Sequence, residues 1–278
     1  MKHPALYRGE HVVILGLARS GRAAAKLFHE LGARVTVNDR KPVSECPEAD
    51  ELSALGIRVI CGEHPQDLLE DHVQLVVKNP GIPYHAEPIQ QAIERGIEMV
   101  TEVEVASIMS DIPIIGITGS NGKTTTTTWV YEILSTAGLK PLIAGNIGRP
   151  MCEAVAQPEG SEWLVTELSS FQLKGTKSFR PKIGCLLNFS ETHLDYHGSM
   201  DDYWTSKVKL FANQTKADKA VLNRDDPACY GLAAKLHAEV MMFSMQHELE
   251  YGVFVQGDRI VYRDRQGTRH ELLPLSEV

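Results

Sequence analysis

The sequence predicts an α/β fold built on parallel sheets, and three observations carry that prediction. Short apolar runs that read as buried strands alternate with helical patterns, the order expected of βαβ units. Strand runs feed into glycine-bearing turns at Gly16 and again just after Gly116. One of these turns, Thr118-Gly119-Ser120-Asn121-Gly122-Lys123-Thr124, ends in Lys-Thr ahead of a helical segment. The 278 residues suffice for about two domains of ordinary size. The boundary falls near Asp111, giving a first domain over 1–110 and a second over 111–278.

The first unit opens with Val12-Val13-Ile14-Leu15 as a buried strand. The turn Gly16-Leu17-Ala18-Arg19-Ser20-Gly21 follows, then a helix over Arg22–Leu31 with Gly32 as its C-cap. Arg34–Asn38 is the second strand, Val73–Val77 another, and Asn79-Pro80-Gly81-Ile82-Pro83 the loop beyond it. A helix over Glu87–Arg95, a strand over Ile97–Val100 and a helix over Glu102–Met109 complete this half. The order is Rossmann-like. The dinucleotide fingerprint, however, needs a middle glycine for close approach of a pyrophosphate, and Ala18 stands there. Asp39 ends the second strand as an acidic residue should, but Arg40 and Lys41 follow it. The first turn therefore reads either as holding a phosphate-bearing nucleotide other than NAD or as a purely structural turn.

The second unit begins with the strand Ile112–Ile117, the Lys-Thr turn and a helix over Lys123–Ala137. Strand, glycine-rich turn and helix together suit a nucleoside triphosphate. Backbone N–H groups and the helix N-terminus face the phosphates, Lys123 reaches the β/γ oxygens, and the Thr124 hydroxyl can hold Mg²⁺. This is a P-loop-type ATP-binding domain with one departure. The usual first glycine of the pattern would occupy position 117, which is isoleucine, and glycines stand at 116 and 119 instead.

Farther on, Gly145-Asn146-Ile147-Gly148 forms a turn that can set an amide beside a ligand. The strand Trp163–Thr166 delivers Glu167 at its carboxyl end, either as a Mg²⁺ ligand or as a carboxylate facing water. The strand Ile183–Leu187 leads into His193, Asp195 and His197, whose alternation suggests a metal site. Without a second His or Cys cluster, zinc is disfavoured, and a histidine touching Mg²⁺ or a substrate phosphate is the better reading. Ser199 caps the next helix, with Asp202 three residues on. Met200, Tyr203, Trp204, Val208 and Phe211 follow helical spacing, and Lys207 lies on that same buried stripe. Its stem either lies on the core with the ammonium in water or carries an amine of lowered pKa, able to form a carbamate with CO₂. The strand Ala220–Leu222 runs into Asn223-Arg224-Asp225-Asp226, and a hairpin is expected around Gln256-Gly257-Asp258.

Composition narrows the function classes. A net charge of −8 gives no support to a nucleic-acid partner. The five cysteines are scattered without a C-x-x-C, which points to reduced thiols in the cytoplasm. No apolar run reaches membrane-spanning length, so no membrane partner is expected. A noncatalytic nucleotide-binding module and an NAD-dependent oxidoreductase are the rival classes.

These motifs taken together resemble the Mur ligases, the ATP-dependent amide-forming enzymes that build the peptide stem of peptidoglycan. The resemblance covers essentially the whole chain and rests on the 118–124 loop, Glu167-Leu168-Ser169-Ser170-Phe171-Gln172-Leu173, the N-x-D-D turn and the Rossmann-like first unit. It implies ATP and Mg²⁺ as cofactors, with UDP-N-acetylmuramoyl-L-alanine and D-glutamate as substrates. By position, it implies Thr124, Glu167, His193 and Lys207 around metal, with Lys207 carbamylated and Lys123, His193 and Lys207 catalytic. It also implies that Arg19, Ser20, Asp39, Arg40, Gly81, Asn146 and His193 meet the UDP substrate. The Asp39-Arg40-Lys41 sequence departs from the family's strand-end D-T-R. Members carry a third, amino-acid-binding domain, so the chain is expected to lack that domain and the end of the central one. A monomer is expected of the full-length enzyme.

Overall fold

The computed structural model of the chain describes residues 1–69 and 72–278. Its N-terminal part alternates β1 (His11–Leu15), α1 (Arg19–Glu30), β2 (Arg34–Asp39), α2 (Glu48–Ala54) and β3 (Arg58–Cys61). Then come β4 (Val73–Lys78), α3 (Glu87–Glu94), β5 (Met99–Val100) and α4 (Glu102–Met109). All five strands are parallel, in the order β3-β2-β1-β4-β5. Val12, Val13, Ile14 and Leu15 are all buried, because helices cover both faces of such a sheet and leave no polar side to alternate with. The strand order reverses between β1 and β4, and a crevice opens at their carboxyl ends.

The second sheet is larger. It contains β6 (Ile114–Thr118), α5 (Lys123–Thr136), β7 (Pro141–Gly145), α6 (Met151–Ala156), β8 (Trp163–Glu167), α7 (Ser170–Lys174) and β9 (Ile183–Leu186). It continues with α8 (Leu194–His197), α9 (Met200–Val208), β10 (Lys219–Asn223), α10 (Pro227–Leu232) and β11 (Glu239–Ser244). Three strands close it, β12 (Gly252–Gln256), β13 (Arg259–Arg263) and β14 (Arg269–Pro274). The order is β14-β13-β12-β11-β10-β9-β6-β8-β7. Pairing is parallel from β7 to β12 and antiparallel across β12-β13-β14, where the expected hairpin turns at Gly257. No helix among the described residues is long and apolar enough to cross a membrane.

The two sheets share a helical layer in which α1, α4 and α6 pack together, and one apolar cluster runs from Val12 and Val37 through Leu164 to Leu222. Helix α4 is buried along its first turns, and its two early glutamates serve the junction. Glu104 accepts N–H bonds from Lys177, Ser178 and Phe179 at 2.8–3.0 Å, which anchors the loop after α7. Glu102 accepts from the Cys152 N–H on α6, and burial raises its carboxyl pKa to about 7.

Expectations shift at several boundaries, and β6, for one, starts at Ile114 rather than Ile112. Helix α1 starts at Arg19 rather than Arg22, so Arg19 and Ser20 belong to its first turn. The fifth strand shrinks to Met99–Val100, because only Val76 and Val77 of β4 pair with it.

Candidate functional site

The loop after β6 is held from beneath. Thr118 donates its hydroxyl to Leu168 O at 2.7 Å, and Ser120 Oγ lies 3.0 Å from both Ser190 O and the Tyr203 hydroxyl. Asn188 brackets the loop, accepting from Asn121 N–H at 2.9 Å and donating to Asn121 O at 3.1 Å. Thr118 and Ser120 are therefore scaffold, with side chains turned inward, and the Ser120 N–H is itself taken by Asn188 O at 3.1 Å. Gly116 plays no part in the turn. A Cβ there would lie 2.8 Å from Leu210 and 3.2 Å from Leu168, so core packing demands the glycine.

Helix α5 starts at Lys123 and points its N-terminus into the loop, where free N–H groups and the helix dipole favour anions. The Lys123 ammonium folds back on the loop, donating to Gly119 O at 2.9 Å and Ser120 O at 3.0 Å. Burial lowers its pKa, while the Glu167 carboxylate opposes the shift.

Three predicted residues converge beside it. Glu167, only 2% exposed at the end of β8, accepts from the Thr124 hydroxyl and from the Asn146 amide, both at 2.7 Å. Asn146 N–H also donates to Glu167 O at 2.9 Å, so the β7 and β8 ends are stitched where the two side chains meet. Hydroxyl and carboxylate oxygens form the hard donor set that suits Mg²⁺.

Lys207 is 1% exposed, donates to Gly119 O at 2.8 Å and lies 4.7 Å from the Tyr203 ring centroid. Burial, then repulsion from Lys123, lowers its pKa to about 7. Of the two readings open from sequence, the buried amine is the one found. The stripe that predicts this burial contains Tyr203 and Phe211, both in the core.

The two histidines of the 193–197 alternation diverge. His193 stands exposed at the start of α8, with φ +56°, its ring 5.2 Å from Phe171. The His197 ring is buried, with Nδ1 2.6 Å from Asp202 and Nε2 2.9 Å from the Ser170 hydroxyl. The short α8 turn, not extended backbone, separates them.

A cavity of about 450 Å³ joins these parts to the first sheet. Lys123, Asn146, Phe171, His193 and Lys207 line one side, and Arg19, Ser20 and Gly81 the other. Arg19 crosses the gap to donate to Gly148 O. A second cavity of about 460 Å³ holds Asp39, Arg40 and His64 and shares Ala18, Asn79 and Gly81 with the first. Both volumes suit small-molecule sites. Asp39 accepts N–H bonds from Leu17 at 2.6 Å and Lys41 at 2.9 Å, so its carboxylate braces the first turn at that cavity's edge. Asn188 is a neighbour that sequence reasoning does not single out, and Phe171 enters it only within the 167–173 motif. Both follow strand ends, the one available signal.

Comparison with known proteins gives matches over both parts. Residues 10–101 match the MurD-like N-terminal domain of Mur ligases, and residues 117–276 match the Mur ligase middle domain. UDP-N-acetylmuramoylalanine–D-glutamate ligase of Geobacillus sp. (strain WCH70) is 52% identical over 264 residues, 95% of this chain and 58% of that protein. The Bacillus subtilis (strain 168) ligase of the same name is 46% identical over 279 residues, 100% of this chain and 61% of that protein. The chain thus spans roughly three-fifths of these relatives' length. In fold, it resembles the UDP-N-acetylmuramate:L-alanyl-gamma-D-glutamyl-meso-diaminopimelate ligase of Neisseria meningitides. That likeness has a TM-score of 0.59 at 21% identity and covers 95% of this chain and 84% of that one.

Proposed function

The chain belongs to the Mur ligase family, and from that premise we propose that it serves the ATP-dependent ligation of D-glutamate to UDP-N-acetylmuramoyl-L-alanine. The observation that carries the reading is the shared cavity: the phosphate loop and the first-sheet turn open onto one space. We assign 1–110 to the UDP substrate and 111–278 to ATP. The reaction is cytoplasmic, and the full-length enzyme is a monomer.

In this reading the L-alanine carboxylate takes the γ-phosphoryl group of ATP, and the D-glutamate amine then attacks the acyl phosphate and expels phosphate. Lys123 leaves its two carbonyl partners for the β/γ oxygens, and the loop N–H groups fix the triphosphate. Thr124 and Glu167 would hold Mg²⁺, which when bound would supply positive charge against the phosphates. Asn146 orients the Glu167 carboxylate, and His193 and Lys207 stand where the reacting end arrives. The Lys207 amine attacks the carbon of CO₂ and loses a proton, giving a carbamate whose oxygens suit a second hard cation. Arg19, Ser20 and Gly81 face the phosphate end of the UDP substrate, while Asp39 and Arg40 edge the cavity for its nucleoside.

Phosphate release that requires ATP, UDP-N-acetylmuramoyl-L-alanine and D-glutamate together supports ligation. Binding of both nucleotides without such release would instead make the chain a noncatalytic nucleotide-binding module.

A further inference from the structure

Lys78, the last residue of β4, is 1% exposed. Buried lysines are rare unless their donors are used, and all three of its donors are. Its Nζ donates to Asn79 O at 3.2 Å, Pro80 O at 3.1 Å and the Tyr196 hydroxyl at 3.1 Å. The Tyr84 and Tyr196 ring centroids lie 4.7 and 5.7 Å away. Tyr196 belongs to the other sheet, on α8, and its own hydroxyl donates to Pro80 O at 2.8 Å.

The contact reaches both walls of the cavity. Asn79, Pro80 and Gly81 line its first-sheet side, and Asn79 is fixed to Ser20 Oγ at 3.2 Å. On the other side, Tyr196 lies against Phe171, with centroids 4.0 Å apart, and Phe171 meets the His193 ring. Lys174 adds a second cation 4.6 Å from Tyr84, already paired with Asp202 at 2.7 Å. Lys78 is met instead by carbonyls, a phenol and ring faces. Burial, then Lys174, lowers its pKa to about 7. A neutral amine keeps two N–H donors for the two carbonyls, and its lone pair can take the Tyr196 proton only in place of the bond to Pro80 O.

We propose that Lys78 is a positioning residue of this cavity, tying the Asn79-Pro80-Gly81 wall to Tyr196 and so fixing that wall relative to Phe171 and His193. Its ligand arm rests on the assignment of the cavity to the UDP substrate; its structural arm does not.

The test uses Lys78→Met, which fills the same space without donors, and Tyr196→Phe, which removes only the hydroxyl. Amide hydrogen exchange at Gly81 and Ile82, whose N–H groups bond to Asn79, reads the wall directly. Losing hydrogen bonds of this kind should speed that exchange about tenfold in each variant. Exchange at Val76 and Val77 in β4 should stay unchanged. The double variant should exchange at least as fast as Lys78→Met, because Tyr196→Phe also removes the hydroxyl's own bond to Pro80 O. UDP-N-acetylmuramoyl-L-alanine should bind Lys78→Met about tenfold more weakly, with the affinity for a Mg²⁺–ATP analogue unchanged. Exchange at Gly81 and Ile82 within about twofold of wild type in both variants, well short of the expected loss, overturns the proposal. Faster exchange with undiminished UDP-substrate affinity also overturns it. If wild type binds no UDP substrate, the functional reading fails instead, and the exchange measurement still decides whether Lys78 holds the wall.

Discussion

Gly145→Ala makes a sharp test of how the Asn146–Glu167–Thr124 cluster is held. Gly145 ends β7 with φ +100°, and a Cβ there would sit 2.4 Å from Glu167 O. The substitution therefore adds two costs: about 1–2 kcal/mol for an L side chain at positive φ, and about 1–3 kcal/mol for overlap with backbone that must move. Gly138→Ala is the matched control, with φ +81° after α5 and nothing within 4 Å of the new methyl. It should show the first cost alone. In urea denaturation, Gly145→Ala should therefore lose about 1–3 kcal/mol more than Gly138→Ala, at equal m-values. The displaced atom is also the acceptor of the Asn146 N–H bond, so the Asn146–Glu167–Thr124 cluster shifts with it. Mg²⁺-dependent affinity for an ATP analogue should fall about tenfold in Gly145→Ala, the loss expected from disturbing charged hydrogen bonds, and hold in Gly138→Ala. Equal stability losses, or unaltered nucleotide affinity in Gly145→Ala, would refute this account of the cluster.

Two further predictions concern the frame. Burial raises the Glu102 pKa from 4.5 to about 7, so the folded protein binds more protons than the unfolded chain between those values, and the associated stability is lost as pH rises through that window. Glu102→Gln keeps an acceptor for Cys152 N–H and removes the charge. It should match wild type near the lower value and exceed it by about 3 kcal/mol above the upper one, measured by urea denaturation across pH. Ser120→Ala strips Ser190 N–H of its acceptor and the buried Tyr203 hydroxyl of its partner. It should cost about 1–3 kcal/mol and loosen the phosphate loop, seen as faster amide exchange at Asn121.

Much of this site was legible because its residues announce themselves locally. Strand, Lys-Thr turn and helix follow one another in sequence, Glu167 falls at a strand end, and Lys207 sits on a helical stripe whose other members are core. The His193-Asp195-His197 alternation does not put the three on one face, because a period of two does so only in extended backbone and the chain turns helical there. Arg19 and Ser20 read as turn residues because Ala18 gives no side-chain cap, and nothing local marks the start of α1. Asn188 bracketing Asn121, and Lys78 meeting Tyr196 across 118 positions, have no local signature at all. Such pairs exist only once two sheets dock, and neither periodicity nor turn chemistry encodes the docking.

The central claim is that one cavity takes a UDP-linked substrate on its first-sheet wall and a triphosphate on its second. Isothermal titration of the chain with UDP-N-acetylmuramoyl-L-alanine, followed by a Mg²⁺–ATP analogue, tests it most directly. The account predicts saturable binding of the UDP substrate at one site per chain, with the analogue still binding once that site is full. An analogue that binds while UDP-N-acetylmuramoyl-L-alanine gives no heat and does not compete would contradict it, leaving a phosphate-loop protein whose first sheet serves some other ligand.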